Sequence, residues 1–260
     1  MLTTLGTLLG GRVTHEQPRE GHRTGLEPVL LAAAIPARAG ERVLEGGTGS
    51  GAGLLCLAAR VAGIRGVGVE QDRDMAELAR RNVAANRLEE AIEIVTGDVV
   101  AFRAEGVDHA FANPPWHDAV GTASPVRRKE AAKRVAPNEL GTWIAALARN
   151  VRDGGTVTVV VPASGVPECL GAMAADGCGS VCLCPLWPRQ GQAAKLVLLQ
   201  AVKRGRGPFR LLPGLVLHGE AGPGFTPETA AILRDGAGLA TRRSVTGRSV
   251  RVGIRVTQAP

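Results

Sequence analysis

Apolar positions along this chain fall into short runs bounded by glycine, alternating with longer stretches of helical spacing; that alternation predicts β-α-β units. Residues 28–35 read as a short helix with Pro28 in its first turn. A first strand at 41–45 leads through a glycine-rich stretch, 46–53, into a helix from about 54 to 61. A second strand at 66–70 precedes a helix that Asp72 caps and that runs to about Asn86, with Met75, Leu78, Ala79 and Val83 as its apolar stripe. Strands at 92–95 and 107–112 follow. A helix from about 137 to 151 leads to a buried strand at 155–161, and a helix at 167–175 to strands near 180–184 and 195–202. Two consecutive late strands imply an antiparallel hairpin rather than another crossover. The expected fold is α/β, a seven-stranded, mostly parallel sheet with an antiparallel C-terminal hairpin. Residues 10–27, glycine-rich and polar, show neither period and read as a loop.

The strand at 107–112 ends in Asn113-Pro114-Pro115-Trp116. Two consecutive prolines donate no hydrogen bond and fix φ, so the strand stops in a rigid turn. The Pro114 carbonyl beside the Asn113 side-chain oxygen makes a pair of acceptors suited to a planar –NH₂ group, and Trp116 offers a ring for a base to stack on. The bland alternative is a plain Pro-Pro turn. Upstream, strand, glycine loop and helix in succession form a nucleotide-type binding turn. The spacing Glu45-x-Gly47-Thr48-Gly49-x-Gly51 departs from the dinucleotide fingerprint, and the loop carries no lysine for a phosphate. An acid ending the strand favours a ligand with a cationic amino-acid end, such as S-adenosylmethionine. Glu70, with Gln71 after it, ends the second strand and is placed to take two ribose hydroxyls. Asp98 follows the third, able to accept from an adenine amine with Val99 flanking the ring. Glu45, Glu70, Asp98 and Asn113 would therefore line one carboxyl edge of a parallel sheet, where open α/β sheets bind ligands.

Composition narrows the partners. The chain has 260 residues, 45% hydrophobic, enough for a sizeable core. No apolar run reaches the length of a membrane span, and the N-terminus lacks a signal-peptide pattern, so a cytoplasmic location is expected. Cys56, Cys169, Cys178, Cys182 and Cys184 lack zinc-site spacing and read as core thiols in a reducing compartment; no metal is expected. The net charge of +7 is uneven: Arg242, Arg243, Arg248, Arg251 and Arg255 put +5 in the last 20 residues, leaving +2 elsewhere. A local basic cluster, Arg127, Arg128, Lys129, Lys133 and Arg134, follows the Asn-Pro-Pro-Trp stretch, where a polynucleotide backbone would pass; a solvated surface helix is its alternative. Residues 250–256 alternate apolar and basic positions, a strand signature that fits RNA binding, edge pairing or disorder.

Together, the strand-end acids, the glycine loop and Asn113-Pro114-Pro115-Trp116 resemble a class I S-adenosylmethionine-dependent methyltransferase with a Rossmann-like sheet. Leu9-Gly10-Gly11-Arg12, Gln17-Pro18-Arg19-Glu20-Gly21 and Leu30-Leu31-Ala32-Ala33 narrow the resemblance to the valine-tRNA adenine-N6 methyltransferases, over about residues 5 to 240. The resemblance implies that the loop before the first strand folds over the cofactor, bringing Gln17, Arg23 and Thr24 near it, and that 203–240 is a C-terminal lid or docking segment. Glu27 stands where relatives usually show Asp, and Trp116 where Tyr is usual. The organisation expected is an N-terminal arm (1–40), a methyltransferase core (41–202), the family segment (203–240) and a basic tail (241–260). The expected substrate is the N6 amine of adenine in RNA, specifically tRNA. Methylation of a glutamine amide in a release factor, of a guanine amine in ribosomal RNA, or RNA binding without catalysis remain as alternatives on the residues alone.

Overall fold

The computed structural model describes residues 1–20, 23–104, 106–115, 139–220 and 222–239. Trp116, the basic cluster at 127–134 and the tail at 241–260 lie outside them.

Strands β3 (Arg42–Gly46), β4 (Arg65–Glu70) and β5 (Ile92–Thr96) are joined by helices α2 (Ala52–Arg60) and α3 (Arg73–Ala85). Strands β6 (Val107–Ala112) and β7 (Val151–Pro162) are followed by β8 (Cys178–Trp187) and β9 (Leu196–Lys203), with α4 (Glu139–Asn150) before β7 and α5 (Val166–Ala175) after it. Their order in the sheet is β8-β9-β7-β6-β3-β4-β5. Strands β3 to β7 run parallel, while β9 pairs antiparallel with both β7 and β8, as two consecutive late strands require. The sheet is wider than the seven strands expected. Two-residue strands β10 (Arg210–Leu211) and β11 (Leu215–Val216) both pair with β8 and bring it to nine. The described part of 203–240 borders the sheet and ends in α6 (Pro227–Asp235). That helix is capped by Thr226 and packed on α1 (Glu27–Ala34) and the 3-10 turn Leu9–Gly11.

Both faces of the sheet are buried, which is why its strands read as near-continuous apolar runs. Val43, Phe111, Val160 and Leu198 face one core with α1, α2 and α3; Leu44, Ala110, Val159 and Leu199 face the other with α4 and α5. All five cysteines are buried and unpaired in these cores and strands.

The loop expected at 10–27 is corrected. Val13–Pro18 forms strand β2, antiparallel to β1 (Thr3–Leu8) in a separate two-stranded sheet. Its strand period is hidden because the inward position after Val13 is His15, a polar residue that is nonetheless 2% exposed. Its outer edge is satisfied by side chains, as described below.

Candidate active site

The connection β3-α2-β4-α3-β5 builds the sheet in one direction from β3, and β6 and β7 build it in the other. The crevice between β3 and β6 is thus the topological switch point, where such sheets bind ligands. The register levels the strand ends: Gly46 pairs with Val69 and Ala112, and Glu70 with Thr96. Glu70, Asp98 and Asn113 therefore emerge side by side along the edge where the glycine loop begins.

In that loop Gly47, Gly49 and Gly51 have φ of +63°, +56° and +87°, a region that side-chain-bearing residues adopt only at a cost. The turn is closed by Gly51 N donating to Thr48 O at 2.8 Å and anchored by Thr48 N donating to Val69 O at 3.1 Å. A Cβ at Gly47 would lie 2.7 Å from the ring of Trp143 on α4, and one at Gly46 would lie 2.8 Å from Val99 Cγ2. Trp143 and Val99 thus form a wall directly against the backbone of the strand-to-loop junction. A Cβ at Gly49 would meet nothing closer than Met75 Cε at 3.8 Å, an ordinary contact, so the loop backbone is uncrowded there.

Glu45 is enclosed behind this loop rather than open to the crevice. It is 4% exposed, and its Oε2 accepts from Thr48 Oγ1 at 2.5 Å and from Leu54 N at 3.0 Å. Burial pushes its carboxyl up to about 8, against those two hydrogen bonds, which favour the ionised form. Glu70 Oε2 accepts from Gly49 N at 2.9 Å and Oε1 from Asp72 N at 2.9 Å; each oxygen keeps a second lone pair. Gln71 is exposed beside it. Asp98 is exposed and Oδ1 accepts from Val100 N at 2.8 Å, while Val99 is buried. Asn113 Oδ1 is a buried acceptor without a hydrogen-bond partner among the described residues. Pro114 is buried and Pro115 exposed. On the arm, Gln17 Oε1 accepts from Thr24 N at 3.1 Å, and Arg23 is exposed. Among the described residues no cluster of three His, Cys, Asp or Glu could hold a metal, and no helix is long and apolar enough to cross a membrane.

Four contributors to this site escaped the sequence reading: Trp143, Ser50, His15 and Asn82. Asn82 left one trace, an asparagine beside the apolar stripe of a helix, where that residue is a weak helix former.

A glycine loop at the switch point, acids at successive strand ends and an Asn-Pro-Pro turn define a Rossmann-like methyltransferase. Residues 27–161 match the model of the methyltransferase small domain, and the chain belongs to that family. It is 32% identical over 209 residues to the tRNA1(Val) (adenine(37)-N6)-methyltransferase of Aeromonas salmonicida, covering 80% of this chain and 87% of that one. The enzyme of the same name from Aeromonas hydrophila is 31% identical over 202 residues, 77% of this chain and 84% of that one. At that identity and coverage the chain belongs among the tRNA1(Val) (adenine(37)-N6)-methyltransferases. Among solved structures, one from Agrobacterium tumefaciens described as a predicted O-methyltransferase superposes with a TM-score of 0.68 at 22% identity, over 82% of this chain and 98% of that one. A Thermotoga maritima SAM-dependent O-methyltransferase gives 0.54 at 19% identity, over 73% and 69%. These two are likenesses of fold.

Proposed function

We propose that this protein methylates the exocyclic N6 amine of an adenine in tRNA, with S-adenosylmethionine as the methyl donor. The observation that carries the reading is the buried Asn113 Oδ1 at the switch point, without a hydrogen-bond partner among the described residues. A buried acceptor left unpaired costs roughly 1–3 kcal/mol, and its retention is explained by a substrate donor that completes it.

The residues present fit the donor. The loop from Gly47 through Thr48 and Gly49 to Gly51 offers backbone close to a ligand, uncrowded at Gly49. Glu70, with Gln71 beside it, is the group for ribose hydroxyls, and Asp98 with Val99 for the adenine end. Gln17, Arg23 and Thr24 approach from the arm. Glu45 acts through the loop it holds. Bound there, S-adenosylmethionine supplies an electrophilic methyl on a positively charged sulfur.

The chain's own task is the nucleophile. The lone pair of an adenine amine is delocalised into the ring. Asn113 Oδ1 and the Pro114 carbonyl accept its two hydrogens, which turns the nitrogen towards tetrahedral and frees the lone pair along one direction. An amide oxygen is too weak a base to keep a proton, so the proton shed by the nitrogen passes to water. Trp116 is the ring on which the base stacks, and the base leaves its stack at small cost in an anticodon loop. Arg127, Arg128, Lys129, Lys133 and Arg134 are the phosphate contacts of this proposal, and a tRNA substrate supports a cytoplasmic location.

Relatives named for tRNA adenine support this reading over the glutamine and guanine alternatives. Tritium from labelled S-adenosylmethionine should appear in N6-methyladenine of tRNA when total RNA and total protein are offered together. Label in a protein glutamine instead would replace the substrate while leaving the site intact.

A further inference from the structure

The side chains that satisfy the outer edge of β2 come from one helix. Asn86 Oδ1 accepts from Thr14 N at 3.0 Å and its Nδ2 donates to Thr14 O at 2.7 Å; one helical turn earlier, Asn82 Oδ1 accepts from Glu16 N at 2.8 Å and its Nδ2 donates to Glu16 O at 2.7 Å. Two asparagines four residues apart on α3 thus substitute for a neighbouring strand, pairing alternate residues of β2 as a sheet would. Asn82 does one thing more. Its second amide hydrogen goes to Ser50 O at 2.9 Å, inside the glycine loop between Gly49 and Gly51. The hydroxyl of the same serine meets His15 Nε2 of β2 at 2.9 Å. Asn82, His15 and Ser50 are all at most 5% exposed.

We infer that Asn82 is a positioning residue for the cofactor loop, and that the N-terminal hairpin acts through it as a brace on Ser50. The inference rests on the reading of that loop as the S-adenosylmethionine site. Three glycines with positive φ lose more conformational freedom on ordering than any other residues, so an unbraced loop would be ordered at the expense of binding. Beyond the anchors of Thr48 to Val69 and Glu45, Glu70 fixes Gly49 N, and the hairpin with α3 fixes Ser50 at its carbonyl and hydroxyl. Asn86 serves as the internal comparison, because it grips the same strand but makes no bond to the loop.

The test is calorimetry of S-adenosylhomocysteine binding to the full chain, with steady-state kinetics. Asn82→Asp keeps the shape and the acceptor for Glu16 N but turns the donor that faces Glu16 O and Ser50 O into an acceptor. The cofactor Kd should rise about tenfold or more, with KM for S-adenosylmethionine rising in step and kcat at saturation kept within about threefold. Amide exchange across 47–51 should quicken in the ligand-free protein. Asn86→Asp should lower overall stability while leaving cofactor Kd unchanged from wild type. Should Asn82→Asp not fold, His15→Ala, which cuts only the hydroxyl link, should still raise Kd about threefold. Wild-type affinity and loop exchange in Asn82→Asp, or equal affinity losses in the Asn82 and Asn86 variants, would overturn the brace. Unchanged affinity in His15→Ala, where it is the variant that must be used, would do the same. Failure of the wild type itself to bind S-adenosylhomocysteine would overturn the reading of the loop, a different result from either.

Discussion

Glu45 Oε2 accepts the Thr48 hydroxyl at 2.5 Å and the Leu54 amide at 3.0 Å, so one buried oxygen ties the glycine loop to the helix that follows it. Burial raises this carboxyl from 4.5 to about 8. The unfolded chain therefore gives up the proton near 4.5 while the folded chain keeps it to about 8. Stability from this group is fully present below 4.5 and is lost as pH rises towards 8, with a slope of up to about 1.4 kcal/mol per pH unit. Glu45→Gln cannot titrate, and its denaturation midpoints at pH 5, 6.5 and 8 should lack that decline. Parallel profiles for the two proteins would show that Glu45 is ionised throughout.

At Gly49, φ is +56° and a Cβ would touch only Met75 Cε, at 3.8 Å. Gly49→Val should cost roughly 1–2 kcal/mol of stability from backbone strain yet abolish cofactor binding, since the new side chain fills the ligand's space. Glu70→Ala should weaken binding about tenfold or more through lost charge-assisted hydrogen bonds. Calorimetry separates these from a dinucleotide site. NADH binding as tightly as S-adenosylmethionine would reject the assignment.

Asn113→Ala removes an acceptor that has no partner among the described residues, so the melting temperature should hold or rise. Cofactor affinity should also hold, while single-turnover methyl transfer should fall about 10²–10³-fold for want of one preorganised acceptor. A variant that transfers methyl groups at the normal rate under saturating tRNA removes the amine-orienting role. Trp116→Ala should instead weaken tRNA affinity, by roughly 1–3 kcal/mol of stacking, and Trp116→Tyr should recover most of it.

The ring of Trp143 leaves no room for a Cβ on Gly47. Trp143→Ala should therefore loosen the strand-to-loop junction and lower stability by about 2–3 kcal/mol, below the range for a fully buried tryptophan because the residue is only partly buried. Gly47→Ala should also destabilise, and less so in the Trp143→Ala background. Additive losses in a double-mutant cycle would show that the two do not touch.

If the cluster from Arg127 to Arg134 tracks phosphates, neutralising two of its residues should flatten the log–log salt dependence of tRNA affinity by about 1.8 for a duplex stem. Deleting 241–260 removes the other basic segment. A slope altered only by the deletion would move the RNA contact to the tail.

The order of elements from residue 28 to the end of β9 was legible because each depends on a local period: Val43 and Leu44 are apolar for opposite faces of the same strand, and Asp72 caps α3 within three residues. The strand-end positions of Glu70, Asp98 and Asn113 followed from that order. The sequence by itself therefore determined the seven main strands of the sheet and the type of chemistry the chain performs. What it left undecided involves partners far apart in the chain. Val13 to Pro18 is a strand only because β1 lies on one edge and Asn82 and Asn86, some seventy residues later, lie on the other. The burial of His15 and Asn82 was not legible, because a polar residue in a linear pattern carries no sign of the groups that satisfy it when buried. Whether Glu45 faces a ligand or lies behind the loop that holds one depends on how Thr48 and Leu54 fold around its carboxyl. Local pattern specifies where apolar surface goes; only the tertiary structure specifies which distant donor and acceptor meet, because hydrogen bonds require that proximity and periodicity does not encode it.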